Sequence, residues 1–163
     1  MVIRFLAILF LFCIPFGCGA QSKSLTATIP IGNEIFYVEI VNTNQTRAQG
    51  LMHRTEIPKD GGMLFVFPDS ILRSFWMKNC LIPMDLIFLD SRGTITATHE
   101  MPIEDPQNEA ESEWEYDNRL SHYWSNSPAR FAIELQSGSI KRLGLKVNER
   151  IALDIPHLRS LAR

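Results

Sequence analysis

Six residues are of types, and in places, that permit chemistry: Arg54, Trp76, Lys78, Asn79, Asp85 and Glu134. In Phe75-Trp76-Met77-Lys78 the alternation of a strand puts Trp76 and Lys78 on one face and Phe75 and Met77 on the other. A flat apolar ring beside a cation is a platform for a ligand with an apolar face and a polar edge. Asn79 and Asp85 flank a turn at Pro83 and can meet across it. Arg54 follows Gly50-Leu51-Met52 and is set to reach the end of a sheet. Glu134 shares a strand face with Arg130 and Ala132. Together the six predict a pocket with an aromatic floor and mixed charge. Each also has a structural role open to it. Asp85 can cap the turn after Pro83 or pair with Lys78 or Arg54, Asn79 can satisfy turn amides, and Trp76 can be core.

Three function classes use these residues. The first is a binding module for a small polar ligand, such as a saccharide or an envelope-polymer fragment. Trp76 would stack on it while Arg54, Lys78, Asn79 and Asp85 make polar contacts. The second is a hydrolase with Asp85 and Glu134 as an acid/base pair, which requires both carboxyls on one side and within roughly 10 Å. The third is a protein-interaction domain using Trp76 and an acidic loop. No nucleophile–base pair is evident, which favours binding. There is no G-x-S-x-G, H-E-x-x-H, C-x-x-C or P-loop. His53, His99, His122 and His157 show no ligand spacing, so neither a metal nor a cofactor is expected. Cys80 can be a nucleophile beside Asn79, but an unpaired Cys more often fills space as a small hydrophobe.

The elements that must position these residues centre on Gly61 to Gly93. Met63 to Phe67 is apolar on both faces, as in a strand covered on both sides. Phe75 to Lys78 reads as a second strand and Leu86 to Asp90 as a third, closed by the turn Asp90-Ser91-Arg92-Gly93. Upstream, Leu25–Pro30 and Glu34–Val41 form a hairpin about Ile31-Gly32-Asn33, with Phe36, Val38 and Ile40 inward. A short helix is expected over Asn44–His53, with Ala48, Leu51 and Met52 inward. Gly50 inside it makes sense where another backbone packs close. Downstream, Thr94–Thr98 completes a hairpin with the third strand. Pro102–Asn118 carries seven carboxylates without an apolar period and reads as a solvated, mobile loop. A calcium loop there would lack the D-x-D-x-D-G pattern. Ala129–Leu135 is a strand, Ile140–Leu143 a helical turn, Arg150–Ile155 a last strand, and the chain after Pro156 a frayed tail. The fold class is mainly β: a compact antiparallel sandwich or flattened barrel with one short helix.

With 163 residues and 45% hydrophobic content, this is one domain's worth of chain. A net charge of −2 provides no global field for nucleic acid. Met1–Arg4 and the apolar run Phe5–Phe16 form a targeting segment too short to span a bilayer comfortably. Cys18 between Gly17 and Gly19 resembles a bacterial lipobox, although Pro15-Phe16 departs from that pattern. Cleavage after Ala20 and retention as an uncleaved anchor are the other outcomes. Lipidation at Cys18 is the favoured one, and all three put the rest outside the cytoplasm: periplasmic, membrane-anchored or secreted. The expected layout is a leader at 1–20, one β-rich domain at 21–158 with an acidic loop at 104–118, and a tail at 159–163. The expected partners are a small polar ligand or an envelope protein, with no nucleic acid, and a membrane only through the N-terminal segment or its lipid.

Ordered motifs cover nearly all of Leu25 to Ile155. They are Gly50-Leu51-Met52-His53-Arg54, Gly61-Gly62-Met63-Leu64-Phe65-Val66-Phe67, Phe75-Trp76-Met77-Lys78-Asn79, and Ile82-Pro83-Met84-Asp85-Leu86-Ile87-Phe88 with Gly93. Ser127-Pro128-Ala129-Arg130-Phe131, Glu134-Leu135, Gly138 and Leu143-Gly144 continue them. In these the chain resembles the domain-of-unknown-function 192 family. The resemblance implies a compact, mainly β domain, often behind a signal or anchor segment in bacteria and archaea, and no established activity. The chain departs from the family pattern at Cys80, where a small residue such as Thr is usual, and at Asn148-Glu149, where Gly-Asp is usual. The acidic stretch Glu104–Asp117 has no family pattern.

Overall fold

The computed structural model describes residues 25–163; the expectations for the leader and for Cys18 fall outside them. The molecule is mainly β. Strands β1 (Thr26–Ile31) and β2 (Glu34–Val41) form the expected hairpin, and Phe36 and Val38 are fully buried. Helix α1 (Asn44–Gln49) then crosses over to β3 (Gly61–Ile71), which runs parallel to β2. After the two-residue β4 (Ser74–Phe75) come β5 (Met84–Leu89) and β6 (Ile95–Met101), antiparallel to each other. Helix α2 (Glu113–Arg119) and the two-residue β7 (Tyr123–Trp124) precede β8 (Ala129–Gln136). Two helices end the chain, α3 (Ser139–Leu143) and α4 (Ile155–Leu161). The main sheet has the order β1-β2-β3-β8-β5-β6, and β4 pairs with β7 beside it.

One open sheet with a parallel pair therefore takes the place of a sandwich or barrel. The apolar runs explain why. Every residue of β5 is buried, because layers of helix and loop cover both faces of the central strands. On one face Phe36, Leu64, Ile87, Phe131 and Ile133 pack against Ile151 and Leu158 from the C-terminal segment. On the other, Phe65, Leu86 and Phe88 pack against Leu51, Ile57 and Met77.

Several local expectations are corrected. Helix α1 stops at Gln49, because Gly50 has φ +46° and caps it by donating its N–H to the Thr46 carbonyl. A Cβ on Gly50 would meet the Phe65 ring at 3.3 Å, so a side chain and not a backbone packs against it. Ala48 is exposed. The expected strand Phe75–Lys78 reduces to Ser74–Phe75. The acidic stretch is pinned rather than loose. Ser112 and Glu115 form a capping box at the start of α2, Tyr116 is buried beneath it, and Arg119 holds Glu111 and the carbonyls of Asp105 and Pro106. Arg150 makes only an isolated bridge to Thr94, and the frayed tail is instead α4. Asp154 caps that helix, Pro156 opens it, and Leu158 is buried. Among the described residues no helix is long and apolar enough to cross a membrane.

Candidate functional site

Register separates the two carboxylates. Asp85 pairs with Leu135 and Leu86 with Glu134, so Asp85 and Glu134 point to opposite faces of the sheet. Asp85 is fully buried on the face covered by the C-terminal segment, where its Oδ2 accepts from the Ile140 N–H at 2.7 Å. Burial pushes its carboxyl above the usual range, and backbone N–H groups of Ile140, Gly138 and Ser139 pull it back. It anchors the start of α3. This placement removes the acid/base pair that the hydrolase reading needs.

Glu134 lies on the other face, at the floor of a cavity of about 220 Å³. Helix α1 and Gly50–Met52 roof the cavity, β3 and β8 floor it, and Ser74–Cys80 closes one side. Its walls are Phe65, Phe67, Phe75 and Trp76. Phe75 is the hub, edge-on to Phe65 at 4.9 Å and to Phe88 at 5.2 Å. Trp76 stands at the mouth, 42% exposed, with the His122 ring 5.6 Å away. Glu134 is 5% exposed, and its Oε2 has no hydrogen-bond partner among the described residues. Burial raises its pKa to about 8, so the carboxyl is protonated at neutral pH. Cys80 lines the same cavity; burial first, and the neighbouring Glu134 second, push its thiol up to about 12. A thiol so shifted is no nucleophile.

The cations at the rim are already engaged. Lys78 pairs with Glu113 and with Asp117 of α2, and hydrogen bonds to Asp117 and Glu113 raise its pKa. Arg47 donates to the Val66 carbonyl at 2.8 Å, to the Asn44 side chain at 2.7 Å and to the Arg163 carbonyl at 2.9 Å.

Of the six expected site residues, the fold brings Trp76, Lys78 and Glu134 to one cavity. Arg54 points elsewhere and holds both carboxylate oxygens of Glu39 at 3.0 Å. Asn79 serves the backbone: its φ is +55°, its N–H donates to the Tyr116 hydroxyl, and its carbonyl accepts from His53. Asp85 is on the far face. Residues not foreseen in the site are Arg47, Phe65, Phe67 and Phe75. The i, i+2 spacing of Phe65 and Phe67 on one strand face, opposite a lone Glu in an apolar strand, was the available signal.

The model of the domain-of-unknown-function 192 family, described as "Uncharacterized ACR", matches residues 27–153. The chain belongs to this family. No curated protein matches it. A proposed transcription regulator from Sinorhizobium meliloti 1021, known from a crystal structure, is 30% identical with a TM-score of 0.62. That match covers 77% of this chain and 89% of the other. A protein of unknown function from Novosphingobium aromaticivorans DSM 12444 is 22% identical with a TM-score of 0.68. Here 82% of this chain and 89% of the other are covered, a likeness of fold. As in the resemblance noted above, family membership brings no activity with it.

Proposed function

We propose that this member of the family is a small-molecule binding module and that its site is the cavity beneath α1. One observation carries the reading: a carboxyl oxygen of Glu134 is sealed at the floor of an aromatic cavity without a partner. Leaving such a group unpaired costs about 1–3 kcal/mol, and a ligand that hydrogen-bonds it recovers that cost. The cavity holds about one ring and its substituents. Among the described residues Glu134 is the one buried polar side chain in its lining. A saccharide would find too few partners for its hydroxyls; a mainly apolar body with one polar group suits the walls better. Catalysis has less support, since the Cys80 thiol is unreactive and no second carboxyl faces Glu134.

Export to the envelope is the accompanying proposal. It rests on the Met1–Phe16 sequence pattern and the cysteine at 18. Cell fractionation of wild type and Cys18→Ala tests it: loss of membrane association only in the variant supports lipidation, and a cytosolic wild type refutes export.

The binding site is tested by screening a fragment library by NMR against the wild-type protein and Trp76→Ala. Trp76 is 42% exposed, so its loss should cost under about 1 kcal/mol of stability. Hits should perturb Leu51, Phe75 and Glu134 and weaken at least tenfold in the variant. Hits that map elsewhere, or ignore the substitution, would remove this site.

A further inference from the structure

We infer that the ligand is a small organic cation, a protonated amine on a ring or short apolar body, whose ammonium sits against Glu134. The inference rests on the reading of the cavity as a ligand site and specifies what fills it. Among the described residues Glu134 is the only carboxylic residue in the lining, and no protein cation pairs with it. Lys78 is committed to Glu113 and Asp117, and Arg47 to two carbonyls and Asn44. The cavity thus holds a carboxyl that no described protein cation pairs with, and an incoming ammonium would supply the partner that lets it ionise. The walls suit the same occupant. The faces of aromatic rings attract cations, and the Phe67 ring already has the Arg73 guanidinium 3.6 Å from its centre and that of Arg47 at 5.2 Å. An anionic ligand would meet ring faces of the wrong sign.

Binding then moves a proton. Glu134 is protonated at neutral pH in the empty site; when the ammonium N–H groups bond to the carboxylate, the carboxyl proton leaves to the buffer. Of the other titratable groups in the cavity lining, the Cys80 thiol stays protonated and Lys78 and Arg47 stay cationic; His122 stands outside the lining, against Trp76. Affinity should therefore rise about tenfold per pH unit below pH 8 and level off above it.

The test is calorimetry on the full chain with three probes of one shape: phenethylamine, 2-phenylethanol and 3-phenylpropanoate. At pH 7, in two buffers of different protonation enthalpy, phenethylamine should bind at least tenfold tighter than the alcohol and release about one proton. Glu134→Gln should lose both the preference and the proton release. The pH and buffer dependence of the wild type carry the test if that variant does not fold. Equal or tighter binding of the alcohol or the carboxylate, with no proton released, overturns the cation and leaves the cavity a binding site. No heat or NMR shift from any of the three overturns both.

Discussion

Glu134 couples the site to stability, and the direction follows from its pKa. Burial holds the folded-state value near 8, above the ordinary 4.5. The folded state binds this proton more tightly, so the stabilising contribution is complete below about pH 4.5. It is lost as pH rises to about 8. The loss is on the order of a few kcal/mol. Urea unfolding at pH 5 and pH 8.5 should show wild type losing that much more stability than Glu134→Gln, which has no proton to lose. Equal losses would mean that the carboxyl is hydrated or paired in solution. Cys80 gives a second check at the same scale. With its thiol near 12, alkylation by iodoacetamide at pH 8 should be about a thousandfold slower in the folded protein than in urea. Similar rates would show the cavity wall to be open.

At the scale of elements, α2 is the part of the acidic stretch most dependent on one side chain. Lys78 joins the segment after β4 to this helix through Glu113 and Asp117, above the buried Tyr116. Lys78→Ala should lower global stability by only about 1 kcal/mol. Amide exchange in Glu113–Arg119 should accelerate well beyond that of β5, and high salt should mimic the substitution. Unchanged protection in α2 would show that Tyr116 alone holds the helix. The sequence made this connection hard to see. A seven-residue helix with one buried side chain has no period to detect, and a run of carboxylates reads as solvated until a lysine from another element is placed beside it. Trp76, Lys78 and Glu134, which line one cavity, stood out in the sequence because each is out of character with its neighbours. Arg54, Asn79 and Asp85 are equally out of character, yet they serve an ion pair, a left-handed turn and a helix start. Residue type reveals that a polar group needs a partner; only the fold tells which.

For the whole molecule, most strands and the hairpins were readable from alternation and turn residues, while the sheet's order was not. Both faces of β3, β5 and β8 are apolar, which specifies central strands but not which of them are neighbours. The C-terminal covering was missed for a related reason. Ile151, Leu153 and Ile155 alternate as in a strand and Pro156 reads as its end, yet Ile151 and Leu158 complete the core on one face from a bridge and a helix. Leu158→Ala should cost about 2–4 kcal/mol, measured by thermal or urea unfolding; a change below about 1 kcal/mol would show α4 to be dispensable.

Strand β8 enters the sheet last in chain order and lies in its middle, between β3 and β5. Until it arrives, the earlier strands can form only two separate pieces, β1-β2-β3 and β5-β6, each with an open edge. A ribosome making this protein therefore releases most of the chain before the sheet can close. Folding is a late event with long-range contacts, slow relative to local helix or hairpin formation. The growing chain stays threadable until its final quarter is made, and in that interval it depends on whatever shields two unfinished sheet edges from each other and from neighbouring chains.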